Sequence, residues 1–116
     1  MANYRPRRVA DLLKREISDI IFKELKDPRV GFVTLTKVDV TADLRIAKVY
    51  FSVLSSEGSV EDSLTGLNSA YVFIRNELKK RVKLRLLPSL EFILDDSLDY
   101  VEKIEKLIQK SKEETN

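Results

Sequence analysis

The apolar residues change period at Asp27-Pro28, and this change constrains the fold more than any other feature of the chain. Before it, Val9, Leu13, Ile17, Ile20 and Ile21 recur at three-to-four spacing, the stripe of an amphipathic helix over residues 6–26. Pro6 suits the first helical turn, where its missing N–H costs nothing. Asp27 precedes a proline and is pushed out of the helical region, which predicts a helix end at Lys26 and a turn through Gly31. After the turn the period becomes two. Residues 32–41 and 44–54 are rich in β-branched and aromatic types and read as strands. Ala47, Val49, Phe51 and Val53 share one face of the second strand, and Ile46, Lys48, Tyr50 and Ser52 the other. In the first strand the alternation slips at Thr36-Lys37, where a bulge would restore a single buried face. The short link Thr41-Ala42-Asp43-Leu44 predicts an antiparallel hairpin, with Asp43 bonding its own backbone in the turn.

The second half repeats the switch. Residues 55–59 read as a loop and Val60 to about Arg85 as helix. Thr65-Gly66 and Asn68-Ser69 are weak helix formers in its middle, so two segments or one bent helix are expected. Arg85 would rotate into the apolar side, which predicts an end at Lys83 or Leu84. Leu90 to Leu94 alternates as a third strand. Asp95-Asp96-Ser97 offers N-cap chemistry for a last helix carrying Tyr100, Val101, Ile104, Leu107 and Ile108. Glu102 and Lys106 form a favourable pair on it, and residues 110–116 are expected to fray. A chain of 116 residues has room for one core. The expected fold is therefore a single α+β domain over residues 1–116, ordered over about 5–108, in the order α-β-β-α-α-β-α. Its helices lie on one face of a three-stranded sheet.

Absent residue types exclude several kinds of chemistry. With no Cys there is no disulfide framework, thiolate nucleophile or Cys-based metal site. With no His, the commonest general base and metal ligand is missing. Asp95 and Asp96 do not make an acid–base or metal pair, because consecutive strand positions point apart. No apolar run is long enough to span a membrane and no signal-peptide core opens the chain, which points to a cytoplasmic protein.

The net charge of +2 conceals two poles. Residues 73–88 carry six Lys or Arg against Glu77, and residues 89–116 carry eight acids against four Lys. A basic pole is what a polyanion needs, because Lys and Arg replace the counterions condensed on phosphates. Arg75, Lys79, Lys80, Arg81, Lys83 and Arg85 are the first candidates for such contacts, with Arg75, Lys79 and Lys83 in line at four-residue spacing. Arg5, Arg7 and Arg8 at the helix start are the second, and Arg15, Lys26, Arg45 and Lys48 would widen the surface. The bland alternatives are a solvated lysine face, a frayed terminus and surface ion pairs. Tyr50 is expected to pack on the stem of Lys48.

Several segments together resemble the bacterial ribosome-binding factor A family. They are Arg5-Pro6-Arg7-Arg8-Val9, Lys26-Asp27-Pro28-Arg29-Val30-Gly31 and the hairpin from Val38 to Ser52, of which Asp43-Leu44 and Ala47-Lys48-Val49-Tyr50 are the most specific parts. Phe73-Ile74-Arg75, Leu84-Arg85, Pro88-Ser89-Leu90-Glu91-Phe92, Asp95 and Ser97 continue the match in order. The resemblance implies a type II KH-like fold. It implies a cytoplasmic, non-catalytic assembly factor, without cofactor, metal or small-molecule substrate, that binds the small (30S) ribosomal subunit through its 16S rRNA. It also implies a role in late rRNA maturation near the 5′-terminal helix and in cold growth. No Gly-x-x-Gly phosphate clamp of a KH domain is present. The family's Ala-x-Gly interhelical kink falls on Ala70, Tyr71 and Val72, where Val72 lacks glycine's freedom. Either a kink through Asn68-Ser69 or a straighter helix satisfies the residues. Tyr71 would stack on a base or pack at the sheet edge.

Two other readings stand beside this one: a protein-interaction module whose basic face serves solubility, and a single-stranded RNA binder with no subunit preference. A monomer is the default for each.

Overall fold

The computed structural model describes residues 4–30, 33–53 and 60–95. Helix α1 spans Tyr4–Lys23, strand β1 Val33–Val40, strand β2 Ile46–Val53, helix α2 Val60–Ser69, helix α3 Tyr71–Arg81 and strand β3 Ser89–Leu94. The sheet order is β1-β2-β3, with β1 antiparallel and β3 parallel to the central strand. The fold is α+β and KH-like, with three helices packed against a three-stranded sheet. The expected last helix, its Glu102–Lys106 pair, Asp96, Ser97, the 55–59 loop and the fraying tail lie outside the described residues.

The core forms where the two periodicities meet. Leu13, Ile17 and Ile20 of α1 and Ala47, Val49 and Phe51 of β2 are fully buried. Leu67, Ile74 and Leu78 from α2 and α3 close over them. In the parallel register Ala47, Val49 and Phe51 pair with Leu90, Phe92 and Leu94, so the third strand extends the same apolar face. The predicted bulge is present. Leu35 pairs with Phe51 and Lys37 with Tyr50, leaving Thr36 as the extra residue. Leu35 and Val38 are thereby both buried. The Thr36 hydroxyl donates to Asp95 Oδ2 at 2.6 Å, so the side chain read as an N-cap ties the bulge to the end of β3.

Three of the expected boundaries move for reasons visible in the structure. Helix α1 ends at Lys23, not Lys26, because the Ile20 carbonyl accepts from the N–H groups of both Glu24 and Leu25 and the last turn opens. Asp27 then caps a single 3-10 turn, Pro28–Val30, by accepting from Arg29 N at 2.9 Å. Strand β2 starts at Ile46 because Leu44 is left-handed (φ 63°), the one such non-glycine among the described residues. Asp43 holds that turn, accepting from the Thr41 hydroxyl at 2.6 Å and Arg45 N at 3.1 Å. These two bonds keep its carboxyl below the ordinary range. Helix α3 ends at Arg81, where buried Val82 is extended (φ −116°, ψ 138°), so Lys83 leaves the helical row.

The break between α2 and α3 falls at Ala70 (φ −88°, ψ 3°). Ala70 N still donates to Gly66 O and Ile74 N to Ala70 O, so the helical bonding carries through a bend. No left-handed residue is used there, so Val72 needs none of glycine's conformational freedom. Gly66 has another role. A Cβ at this position would lie 2.9 Å from Val30 Cγ1 and 3.1 Å from Arg29 Cβ, so α2 rests directly on the 3-10 turn.

Arg81 joins α3 to α1. Its guanidinium pairs with Asp19 at 2.7 Å, with Glu16 at 3.4 Å and with Glu24. Arg81 and Lys23 together hold the Asp19 carboxyl below its ordinary value, Arg81 the more strongly. The three acids in turn raise the Arg81 pKa further above the arginine range.

Three outcomes follow for urea denaturation. Alanine at an ordinary helical glycine gains about 1 kcal/mol, but Gly66→Ala is expected to lose about 1–3 kcal/mol by overpacking against Val30. Ser52 is buried and its Oγ has no hydrogen-bond partner among the described residues, so Ser52→Ala should leave stability unchanged or raise it by up to about 1 kcal/mol. Because the folded pKa of Asp19 is depressed, its contribution is complete above the ordinary 3.8 and is lost as pH falls through the folded value. Arg81→Met should therefore lower the urea midpoint at neutral pH and shrink the further loss on acidification.

Candidate nucleic-acid interface

The six cations between Arg75 and Arg85 do not act as one row. Two are built into the framework. Arg75 is half-buried and donates to the carbonyls of Pro88 and Leu87, at 3.2 Å for the latter. It thereby fixes the turn that leads into β3. Arg81, with 22% of its side chain exposed, is occupied by the three acids of α1. Lys80 pairs with Glu77 at 3.2 Å and is the main reason the Glu77 carboxyl titrates below its ordinary value. Lys79, Lys83 and Arg85 are exposed and make no ion pair among the described residues.

Tertiary structure adds a fourth cation to these three. Ser89 N donates to Arg45 O at 2.8 Å, which sets the β1–β2 turn beside the turn between α3 and β3. The Arg45 side chain is exposed and makes no ion pair among the described residues. Lys79, Lys83 and Arg85 therefore come from the end of α3 and the turn that follows it, and Arg45 from a turn far earlier in the sequence.

The α1 arginines form a second group. Arg5, Arg7 and Arg8 are exposed at the start of α1, whose first turn carries no acid. Arg5 and Arg8 flank Val9 and Leu12 in a shallow groove of about 370 Å³. Cations at a helix N-terminus oppose the helix dipole, so an incoming anion would relieve them. Arg15 is exposed and sits 3.6 Å from Glu16, the surface pair foreseen as its alternative. Lys26 lies beyond the shortened helix and is exposed.

Two tyrosines find partners within the sheet. The Tyr50 ring faces Lys37, with Nζ 5.7 Å from its centroid. Lys37 and Tyr50 are direct cross-strand neighbours once the bulge shifts the register, and this brings the ammonium over the ring. Tyr71 accepts from Leu90 N at 3.2 Å. It fills the open hydrogen-bonding edge of β3, which is the sheet-edge packing foreseen for it. Val72 is 66% exposed and Ala70 half-buried.

Local patterning does not mark Leu86 as exposed, whereas the helical wheel places Phe22 on the polar side of α1. Leu86 is 63% exposed between Arg85 and Leu87, and Phe22 is 87% exposed on α1. A leucine beside Arg85 and one residue from Pro88 is a faint signal at best. The helical wheel does set Phe22 beside Arg8, Arg15 and Lys26. Among the described residues no cluster of carboxylates is suited to a metal ion, and no helix is long and apolar enough to cross a membrane.

The group at the α3–β3 turn is a set of cations outside any ion pair among the described residues, on a hydrogen-bonded framework, which can position phosphates without reading bases. Known proteins share the fold that carries it. Residues 5–108 match the family model for ribosome-binding factor A. The chain is 48% identical over 109 residues to ribosome-binding factor A of Staphylococcus carnosus, covering 94% of this chain and 95% of the relative. The crystal structure of ribosome-binding factor A from Thermus thermophilus superposes with a TM-score of 0.70 at 29% identity, over 77% of this chain and 93% of that one. A Thermus thermophilus homology model fitted into the cryo-EM map of a 30S–RbfA complex superposes at 0.63 with 29% identity, over 75% and 91%. With matched segments running nearly from end to end and the same fold beneath them, the chain belongs to the ribosome-binding factor A family.

Proposed function

We propose that the chain binds the small ribosomal subunit through 16S rRNA and serves as an assembly factor. Its exposed cations would hold an immature rRNA conformation until release. The observation that carries this reading is the group Lys79, Lys83, Arg85 and Arg45, brought together by two adjoining turns and left out of every ion pair among the described residues. The relative fitted into a 30S complex supports the choice of subunit. The α1 arginines would make a second contact. Arg75 and Arg81 would support the site, and the bend at Ala70, Tyr71 and Val72 would set the direction of α3. Late maturation near the 5′-terminal helix, a role in the cold and a cytoplasmic location belong to the same reading. The activity is one of occupancy, with no catalytic step, cofactor or small-molecule substrate, and the chain would act as a monomer.

One observation favours a protein-binding role alongside it. Phe22 borders a groove of about 370 Å³ between α1 and β1 that Ile21, Leu25, Val33 and Leu35 also line. A contact there would change little with salt.

Sedimentation with separated ribosomal subunits tests the main reading. The protein should pellet with small subunits and not with large ones, and binding should fall steeply from about 50 to 200 mM salt. Replacing Lys79, Lys83 and Arg85 with Ala should weaken binding and lower the slope of log K against log salt by about two to three. Equal pelleting with both subunits would reduce the activity to general RNA binding. Salt-insensitive pelleting would favour the protein-binding role.

A further inference from the structure

The turn from Val82 to Pro88 is concave, enclosing about 410 Å³. Arg75 and Lys79 line it from the helix side, and Leu84, Arg85, Leu86 and Leu87 from the turn. Three features distinguish it from an ordinary loop. First, it is held rigidly. Arg75 binds the Leu87 and Pro88 carbonyls, Ser89 N binds Arg45 O, Leu90 N binds the Tyr71 hydroxyl, and Pro88 is buried. Second, this rigid frame holds a large apolar side chain in water, since Leu86 is 63% exposed. Third, Lys79 and Arg85 line the same concavity and make no ion pair among the described residues, and Arg45 stands on the adjoining turn.

A paired RNA helix matches this surface poorly. Its bases are stacked and its deep groove is closed to side chains, so it offers phosphates but no apolar face for a leucine. An unpaired nucleotide offers both, a ring face and a phosphate on either side. We propose that the Val82–Pro88 turn seats one unpaired nucleotide of an RNA strand. Leu86 packs on the face of its base, and Lys79 and Arg85 take the flanking phosphates. Arg75 is the positioning residue that holds the turn open. The proposal rests on the RNA-binding reading above and adds to it a preference for single-stranded over paired RNA at a defined place.

Methyl-resolved NMR on the full chain tests it, with a short single-stranded oligoribonucleotide, a blunt RNA duplex of equal length and a Glu/Leu peptide as separate probes. The single strand should shift the Leu84, Leu86 and Leu87 methyls, and the duplex should leave them in place. Leu86→Ser should weaken single-strand binding about fivefold to tenfold while leaving the salt slope unchanged. Lys79→Ala with Arg85→Ala should lower that slope by about 1.4, two phosphates' worth for a single strand. Arg75→Lys keeps the charge but loses the fork on two carbonyls, and should abolish the effect of Leu86→Ser. Equal urea midpoints for Leu86→Ser and the parent chain confirm that the exposed site alone was changed.

Unmoved Leu86 methyls, or wild-type affinity in Leu86→Ser, would overturn the proposal. A shift with the Glu/Leu peptide and none with RNA would overturn it in favour of an acidic protein partner. The sedimentation result is independent. Selective binding to small subunits with an indifferent Leu86 removes only this inference, while a single-strand preference without subunit selectivity removes only the subunit assignment.

Discussion

Burial of one face of the central strand governs the rest of the structure. Ala47, Val49 and Phe51 have no exposure at all, and they touch a neighbour on every side. An antiparallel strand flanks them on one edge and a parallel strand on the other, with α1 and the α2–α3 pair above. A slip of one residue in any strand would turn its apolar set into water. The bulge at Thr36 prevents such a slip in β1, and the parallel register of Leu90, Phe92 and Leu94 prevents it in β3. The parallel pairing in turn requires a long crossover, and α2 with α3 supplies it. The cation-bearing turn at the end of α3 is thus a consequence of how the sheet is closed.

The basic pole divides into framework and surface. An arginine can spread its donors over several acceptors in a plane, and both arginines of α3 are used in this way. Arg81 gathers Glu16, Asp19 and Glu24 of α1, and Arg75 gathers two carbonyls of the turn. A lysine is a compact charge on a flexible stem, suited to contacts that exchange with water. Lys79 and Lys83 are left to solvent, joined by Arg85 and Arg45 from the turns. Six neighbouring cations therefore do not amount to six available contacts.

Gly66 and Leu44 show how local propensity yields to packing. Glycine weakens a helix, yet at Gly66 the absent Cβ lets α2 lie on Val30. Leucine resists the left-handed region, yet Leu44 adopts it because Asp43 and Thr41 bond the turn around it and the side chain packs against the core. The role of Gly66 cannot be assigned from the neighbours it has along the chain.

The sequence by itself determined the elements from α1 to β3, their order, the bulge, the buried face of β2 and the family, because periodicity and turn chemistry act between residues a few positions apart. It also located the basic pole. Helix ends were misjudged by two or three residues, since the opened turn at Ile20 and the extended Val82 answer to the core rather than to propensity. Only the tertiary structure decided which cations remain available. Arg81 meets its acids across two packed helices, Tyr50 meets Lys37 through the shifted register, and Arg45 reaches the α3–β3 turn through a backbone bond to Ser89. These contacts join residues far apart in the chain, and no local pattern encodes a partner that packing alone brings near.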